Sequence, residues 1–376
     1  MSRSAIYPGS TIGIIGLNRN GAALISTIKK AGFNVGVYVS RPQPAVTKMA
    51  DLTFVGALNN RTKLTQFGEA CDAIIYQTAT VDSRVLRFLS QYAVIPQGVN
   101  ALEIVQDRLM ERAFLDQINI NIAPYVTVVS LDDVYQSIDS IGYPALLKPI
   151  QRGIGENSML IERQSDITRA ADFIDAGTYL LESWIEHTYE YTMTAVTAGN
   201  DVRLYPLAQL EYNQQRQLVS VASPAVVNED MQKEMERIVK SVAASLEYTG
   251  VFSVNFYVTS TGTLYVKNIE PGLSSVADIY EATANVDQYT EQLRTAVGMP
   301  IHQISPLQSG LLMVIRNYQS RAIQRQWLIK NNWQFRFFND TNDDDQAVLG
   351  FAWVTGNNNL AELKNQVDDT EVWKEK

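Results

Sequence analysis

Tyr143-Pro144-Ala145-Leu146-Leu147-Lys148 is an apolar run ending in a lysine, and the glycine-bearing loop Gln151-Arg152-Gly153-Ile154-Gly155 follows it almost at once. The run reads as a buried strand, so the charge at its end is fixed in place. Glycines just beyond it let backbone N–H groups come close to an anion. The same residues also fit a lysine snorkelling beside an ordinary turn. Segments on either side weigh in for the anion. Before it, Gln106-Asp107-Arg108 opens the helical stretch QDRLMERAFL. After it, Leu180-Leu181-Glu182-Ser183-Trp184-Ile185 reads as a strand with an acid near its end, followed by Glu190. An aliphatic wall beside exposed backbone groups suits an adenine ring. Glu190 is placed to accept hydrogen bonds from ribose hydroxyls.

Upstream, short apolar runs alternate with amphipathic stretches. Thr11–Gly16, Asn34–Val39 and Cys71–Gln77 read as buried strands, with helices at Ala22–Lys30 and Arg61–Glu69 between them. That alternation implies a parallel sheet covered by helices on its faces. Gly16 and Gly21 mark the first strand–helix junction, but Leu17 and Asn18 break a G-x-G-x-x-G spacing. Ala22 and Ala23 stand where a phosphate-binding loop needs lysine and a hydroxyl, so a plain helix-start turn is the better reading.

Downstream the texture turns to strands. A helix is expected from Ser130 to about Ser140, opened by a capping signal, and another near Asp166–Asp175. Strands are expected at Tyr179–Trp184, Glu190–Thr197, Leu204–Leu210 and Gln217–Val221, and Asn228 caps a long helix to about Leu246. Val251–Thr259 and Thr263–Ile269 form a hairpin about Thr261-Gly262. A smaller β-rich region follows Pro300.

A chain of 376 residues is too long for one ordinary core. With 46% hydrophobic and 19% charged residues it is globular. No apolar run reaches the roughly 18 residues of a membrane span, and no secretory leader opens the chain, so a cytoplasmic protein is expected. One cysteine, Cys71, excludes internal disulfides, and two histidines leave little for imidazole metal sites. A net charge of −9 argues against nucleic acid as a partner.

The order of these segments resembles an ATP-grasp domain, in which two antiparallel sheets close on ATP. More narrowly, it is similar to the 5-(carboxyamino)imidazole ribonucleotide synthetase family of purine biosynthesis. The similarity runs from Thr11 to about Gly298 and continues weakly beyond. It is carried by ALEIVQDRLMERAFL, IAPYVTVVSLDDV, IGYPALLKP, YTGVFSVNFYVT and the GTLYV hairpin. The resemblance implies an α/β chain of three parts: a Rossmann-like domain over 1–100, an ATP-grasp domain over 101–298 with a lid at about 120–187, and a small β-rich domain over 299–376. It also implies a homodimer, a small-molecule substrate, and ATP with magnesium. Arg108 and Lys148 would meet the ATP phosphates under the lid glycines Gly153 and Gly155. Glu182 with Ser183, Trp184 and Ile185 would form the adenine hinge, and Glu190 would hold the ribose.

Several positions depart from that pattern. The family carries a glutamate in the strand that here reads Val254-Asn255-Phe256 and another in Lys267-Asn268-Ile269; both bridge magnesium. Both are asparagine in this chain, and an amide oxygen is a weaker ligand for a hard dication than a carboxylate. A two-residue Thr261-Gly262 turn sets Asn255 opposite Asn268 on one face, and alternation returns Glu270 to it. Two readings stand: a metal site of Glu270, Asn268 and Asn255, or an amide pair hydrogen-bonded within the cleft. The substrate side departs further. Asn18-Arg19-Asn20, Tyr76-Gln77-Thr78, Arg152-Gly153-Ile154-Gly155-Glu156, Tyr212, Leu273-Ser274-Ser275 and Ala347–Phe351 replace charged or donor-bearing motifs. The resemblance with these losses implies a relative with an altered acceptor, or a non-catalytic nucleotide-binding relative acting as regulator or partner subunit.

Other features read as structural. Asp340–Asp345 lacks the glycine and glutamate of a calcium loop and fits a solvated hairpin. His187 reads as a surface residue in a turn, Arg19 and Arg152 as loop cations that are solvated by default or bind an anion near the cleft, and Trp184, Trp327, Trp333 and Trp353 as core or interface aromatics.

Overall fold

β1 (Thr11–Ile15), β2 (Asn34–Val39), β3 (Leu52–Val55) and β4 (Ala73–Tyr76) form a parallel sheet in the order β3-β2-β1-β4. The computed structural model describes residues 6–152, 158–171, 173, 174, 177–338, 344–356 and 359–374. Ile12, Ile14, Ile74 and Ile75 are fully buried, as expected of strands covered on both faces. The helix Gly21–Lys30 buries Leu24, Ile25 and Ile28. β3 was not expected: at the sheet edge it keeps Leu52, Thr53 and Val55 exposed, so it carries no buried apolar run to read.

β5 (Tyr125–Val128), β6 (Ala145–Pro149), β7 (Met159–Ile161) and β8 (Tyr179–Ser183) make a second, antiparallel sheet in the order β5-β8-β6-β7. The helix Leu131–Ile141 packs against it, opened by a capping box in which Ser130 and Asp133 satisfy each other's backbone N–H groups. The helix expected near Asp166–Asp175 is a 3₁₀ helix, Gln164–Ala171. The Asp166 carboxylate accepts from the N–H groups of Glu162 and Arg163, a local bond that competes with α-helical entry.

The third sheet contains nine strands: β9 (Tyr189–Ala198), β10 (Asp201–Leu204), β11 (Ala208–Tyr212), β12 (Leu218–Ser223), β13 (Gly250–Val258), β14 (Leu264–Pro271), β15 (Ser309–Arg316), β16 (Trp333–Phe337) and β17 (Val348–Gly356). Its order is β14-β13-β9-β11-β12-β15-β17-β16, with β10 beside β9. The single strand expected over Leu204–Leu210 is two, β10 and β11, separated at Pro206, which has no N–H to give a ladder. The strands after Pro300 continue this sheet through β12–β15 pairing rather than forming one of their own. The helix Glu229–Ser245, capped by Asn228, buries Met235, Ile238, Val239 and Val242. No helix among the described residues is long and apolar enough to cross a membrane.

The β13–β14 hairpin has a different turn from the expected one. Thr259 and Thr263 close it, with Thr259 N–H donating to Thr263 O and Gly262 N–H to Thr259 O, so the loop has three residues and not two. Gly262 has φ +83°, a conformation that glycine adopts without strain. That turn alone shifts the register by one residue. A bulge at Lys267 shifts it back: Phe256 faces Val266, and Asn255 then faces Asn268 as expected.

Candidate functional site

A cavity of about 270 Å³ lies between the second and third sheets. Its walls include Lys148 and Glu182 from the second sheet, Arg108 and Arg112 from the helix Arg108–Gln117, and Lys267 and Glu270 from β14. That helix begins where Asp107 accepts from the N–H groups of Leu109 and Met110. Positions 108, 111 and 112 share one of its faces, which is why three charged side chains reach the cleft together. Arg108 N–H donates to Ile150 O, and its guanidinium donates to Pro149 O at 2.5 Å. The helix start is thereby laced to the strand that ends in Lys148.

Glu182 is the hub. Its side chain is 5% exposed and binds Lys148 Nζ at 2.7 Å and Arg112 Nε at 2.8 Å. Burial pushes the carboxyl up, but Arg112 and Lys148 outweigh it and hold Glu182 below the usual carboxylate range. Burial lowers the Lys148 ammonium from its ordinary value, with Glu182 opposing that fall. Arg108 is also lowered by burial, with Arg152 adding to the effect.

A second network lies just beyond the end of β8. Glu190 accepts from Lys267 Nζ at 2.9 Å and bonds His187 Nε2 at 3.0 Å. Burial opposes the Glu190 charge, but His187 and Lys267 together hold its carboxyl below the usual range. His187 is not a surface residue: its ring stacks on Tyr257 at 4.1 Å, and Nδ1 meets the Ile185 carbonyl at 2.7 Å. The turn closes against β13, and that packing was not visible in a local reading. Burial pulls the imidazole pKa down, but Glu190 and the Ile185 carbonyl raise it overall. Lys267 sits over the rings of Tyr257 and Tyr212 at 5.1 and 5.6 Å.

Asn255, Asn268 and Glu270 do come together. Asn255 Nδ2 donates to Asn268 Oδ1 at 3.2 Å and to Glu270 Oε1 at 3.0 Å, and Asn268 Nδ2 donates to the same Glu270 oxygen at 3.1 Å. Both amides thus turn N–H groups towards the one carboxylate. Glu111 and Glu182 are already held by cations, Glu111 by Arg152 at 2.6 Å and by Ile269 N–H at 2.7 Å. Among the described residues, no cluster of three or more His, Cys, Asp and Glu side chains could hold a metal. One carboxylate with two amides does not fit a pair of magnesium ions, which take carboxylate and phosphate oxygens in near-octahedral geometry.

Other expected residues are placed as follows. Ser183 Oγ donates to Ile141 O at 2.5 Å, while Ser183 N–H and Trp184 N–H donate to Pro124 O and Pro144 O. Trp184 lines the cavity and carries Arg216 over its ring at 4.0 Å; Trp333 and Trp353 are buried, and Trp327 is exposed. Gly153 and Gly155 lie outside the described residues, as does Asp340–Asn342-Asp343 of the acidic loop. Of the two readings of Arg152, the structure has it lining the cleft and not solvated in a loop, held there by the buried Glu111 carboxylate. Arg112, Glu111 and Lys267 were not anticipated. The first two could have been found from the i, i+3, i+4 spacing with Arg108. Lys267 could not, because period-two alternation turns it away from Asn268 and only the bulge brings both to the cavity.

Two antiparallel sheets with a cationic cleft between them make up an ATP-grasp fold. Residues 113–273 match the ATP-grasp domain family, and the chain carries that domain. Over its length the chain resembles N5-carboxyaminoimidazole ribonucleotide synthase. It is 26% identical to that enzyme of Bacillus subtilis (strain 168) over 326 residues, 86% of each chain. It is 24% identical over 375 residues to that of Staphylococcus saprophyticus, covering 99% of this chain and 97% of the relative. An ADP complex of N5-carboxyaminoimidazole ribonucleotide synthetase superposes with a TM-score of 0.92 at 20% identity, over 99% of this chain and 98% of the other. The Aspergillus clavatus enzyme with ADP and 5-aminoimidazole ribonucleotide gives 0.89 at 18% identity, over 98% and 99%.

Proposed function

We propose that the cleft binds ATP and that the chain is an ATP-grasp ligase allied to the purine-pathway synthetases, with an altered acceptor. The observation behind this is the Lys148–Glu182–Arg112 network, set beside the hinge in a cavity between two sheets. In this reading the base lies along Ser183, Trp184 and Ile185. Edge recognition falls to Ile185, since the other two N–H groups are engaged by prolyl carbonyls. Glu190 faces the ribose, held in its charged form by His187 and Lys267. Arg108 and Lys148 contact the phosphates, and the Gly153–Gly155 loop covers them.

Bicarbonate or another carboxylate attacks the terminal phosphorus, ADP departs, and an amine then displaces phosphate from the acyl phosphate. Arg108 and Lys148 stabilise charge on the transferring group. The three-part division at about residues 100 and 298, the lid at about 120–187 and a homodimer belong to the same proposal. A second reading is favoured by one observation, the amide-closed Asn255–Asn268–Glu270 cluster: the chain holds nucleotide without turnover and serves as a regulator or partner subunit.

Release of ADP and phosphate from ATP and bicarbonate, with and without aminoimidazole ribonucleotide, tests both. Release that depends on the ribonucleotide identifies the acceptor of the relatives. Release indifferent to it fits an altered acceptor, and none at all favours the second reading.

A further inference from the structure

The charges around the cavity favour a bare polyphosphate. Five cationic side chains line it, Arg108, Arg112, Lys148, Arg152 and Lys267, against the carboxylates of Glu111, Glu182 and Glu270. The surplus of positive charge is two, and it falls to one when Glu190, which grips Lys267, is included. Donors remain to be used: among the described residues, Arg112 Nη1 and Arg152 Nε are buried without a hydrogen-bond partner. Both belong to guanidiniums already aimed by Glu182 and Glu111. On the opposite wall, Asn255 and Asn268 direct N–H groups onto Glu270 Oε1, so amide hydrogens occupy the side of that carboxylate that faces them.

A dication placed at Glu270 meets one carboxylate and shares the cavity with five cations, and like charges in a partly desolvated cavity repel. A polyphosphate placed there meets those cations directly, with geometry suited to guanidinium forks. The bulge at β14 turns the Lys267 ammonium into the cleft, where Glu190 holds it at 2.9 Å.

We propose that this cleft takes its adenine nucleotide without a divalent metal, the phosphate charge being met by Arg108, Lys148 and Arg152. The proposal rests on the nucleotide reading above and specifies the ionic form of the ligand. Because magnesium complexes ATP in solution, adding it depletes the form that binds.

Calorimetric titration of ATP and of ADP into the full chain, in EDTA and in excess magnesium, tests this. Binding in EDTA is expected to be tighter than in magnesium, by about tenfold for ATP. An affinity that instead rises about tenfold with magnesium overturns the proposal while leaving the nucleotide site intact. Absence of binding in both conditions overturns the nucleotide reading itself, so the two failures are distinct. The Asn255→Glu/Asn268→Glu double variant is expected to invert the dependence, losing affinity in EDTA and regaining it with magnesium. Should that variant not fold, Arg152→Gln serves: it is expected to weaken EDTA-state binding about tenfold without creating a magnesium requirement. An affinity in EDTA unchanged by Arg152→Gln overturns the proposal.

Discussion

Glu182 has two cationic partners and almost no water, and that decides what its loss does. Glu182→Gln takes the opposing carboxylate from buried Arg112 and half-buried Lys148. Removing one member of a buried ion pair typically costs about 3–5 kcal/mol, chiefly through the stranded partner. We expect urea denaturation of Glu182→Gln to show a loss of that order with an unchanged slope, and nucleotide binding to be weakened too. A loss under about 1 kcal/mol would mean that water reaches the pair in solution. The His187–Glu190 contact makes a pH prediction. The folded-state His187 pKa lies above its ordinary 6.5, so its protonated form stabilises the fold. That contribution is complete below about 6.5 and is lost as pH rises through the raised folded value. Glu190 has the opposite sense: its lowered pKa contributes stability above 4.5 that is lost as pH falls through the folded value. Between them lies a stability maximum that His187→Gln should flatten on its alkaline side in a series of thermal melts.

Elements differ in how much of them the sequence could show. β1, β2 and the helices Arg61–Glu69 and Glu229–Ser245 were readable because their apolar periodicity and caps are local. β3 and the break at Pro206 were not, the first for want of a buried face and the second because two short strands mimic one. The site followed the same rule. Lys148, Arg108, Glu182 and Glu190 lie at ends of elements that local pattern defines, whereas His187 and Lys267 owe their places to packing across the sheet. The β13–β14 hairpin illustrates this best. Its turn was misjudged by one residue, yet Asn255 still faces Asn268, because the bulge at Lys267 cancels the difference. Deleting Lys267 removes the extra residue and should leave Asn255 facing Asn268 in a regular ladder, so a nucleotide affinity that falls in this variant would report the lost ammonium and not a slip of register. Gly262→Ala tests the turn separately. Nothing lies within 4 Å of the added Cβ, so its cost, about 1 kcal/mol, comes only from the positive φ. A cost near zero would mean that the turn relaxes to another type.

At the scale of the molecule, the cleft joins two sheets that share no strand, and the helix Arg108–Gln117 clasps them. Arg112 donates to Glu182 in the second sheet and, through Nη2, to the Lys267 carbonyl in the third at 3.0 Å. Glu111 repeats the arrangement, binding Arg152 beyond β6 and the Ile269 N–H of β14. Both side chains are nearly inaccessible to solvent, at 7% and 1% exposure, so water cannot replace these bonds without opening the cleft. The distance between the sheets is thus set by one helical turn rather than by apolar contact alone. Arg112→Leu keeps bulk and removes both bonds, leaving Glu182 with Lys148 only. Amide hydrogen exchange followed by mass spectrometry should then show faster exchange in β8 and β14 together, since each loses the same tether. Exchange quickened in the helix alone would show that the sheets are held apart from the clasp by other contacts. Adding ATP should restore protection in the wild type and in Arg112→Leu alike if phosphate-binding cations on both walls can close the cleft without Arg112. Failure in the variant would make the clasp a precondition for nucleotide binding.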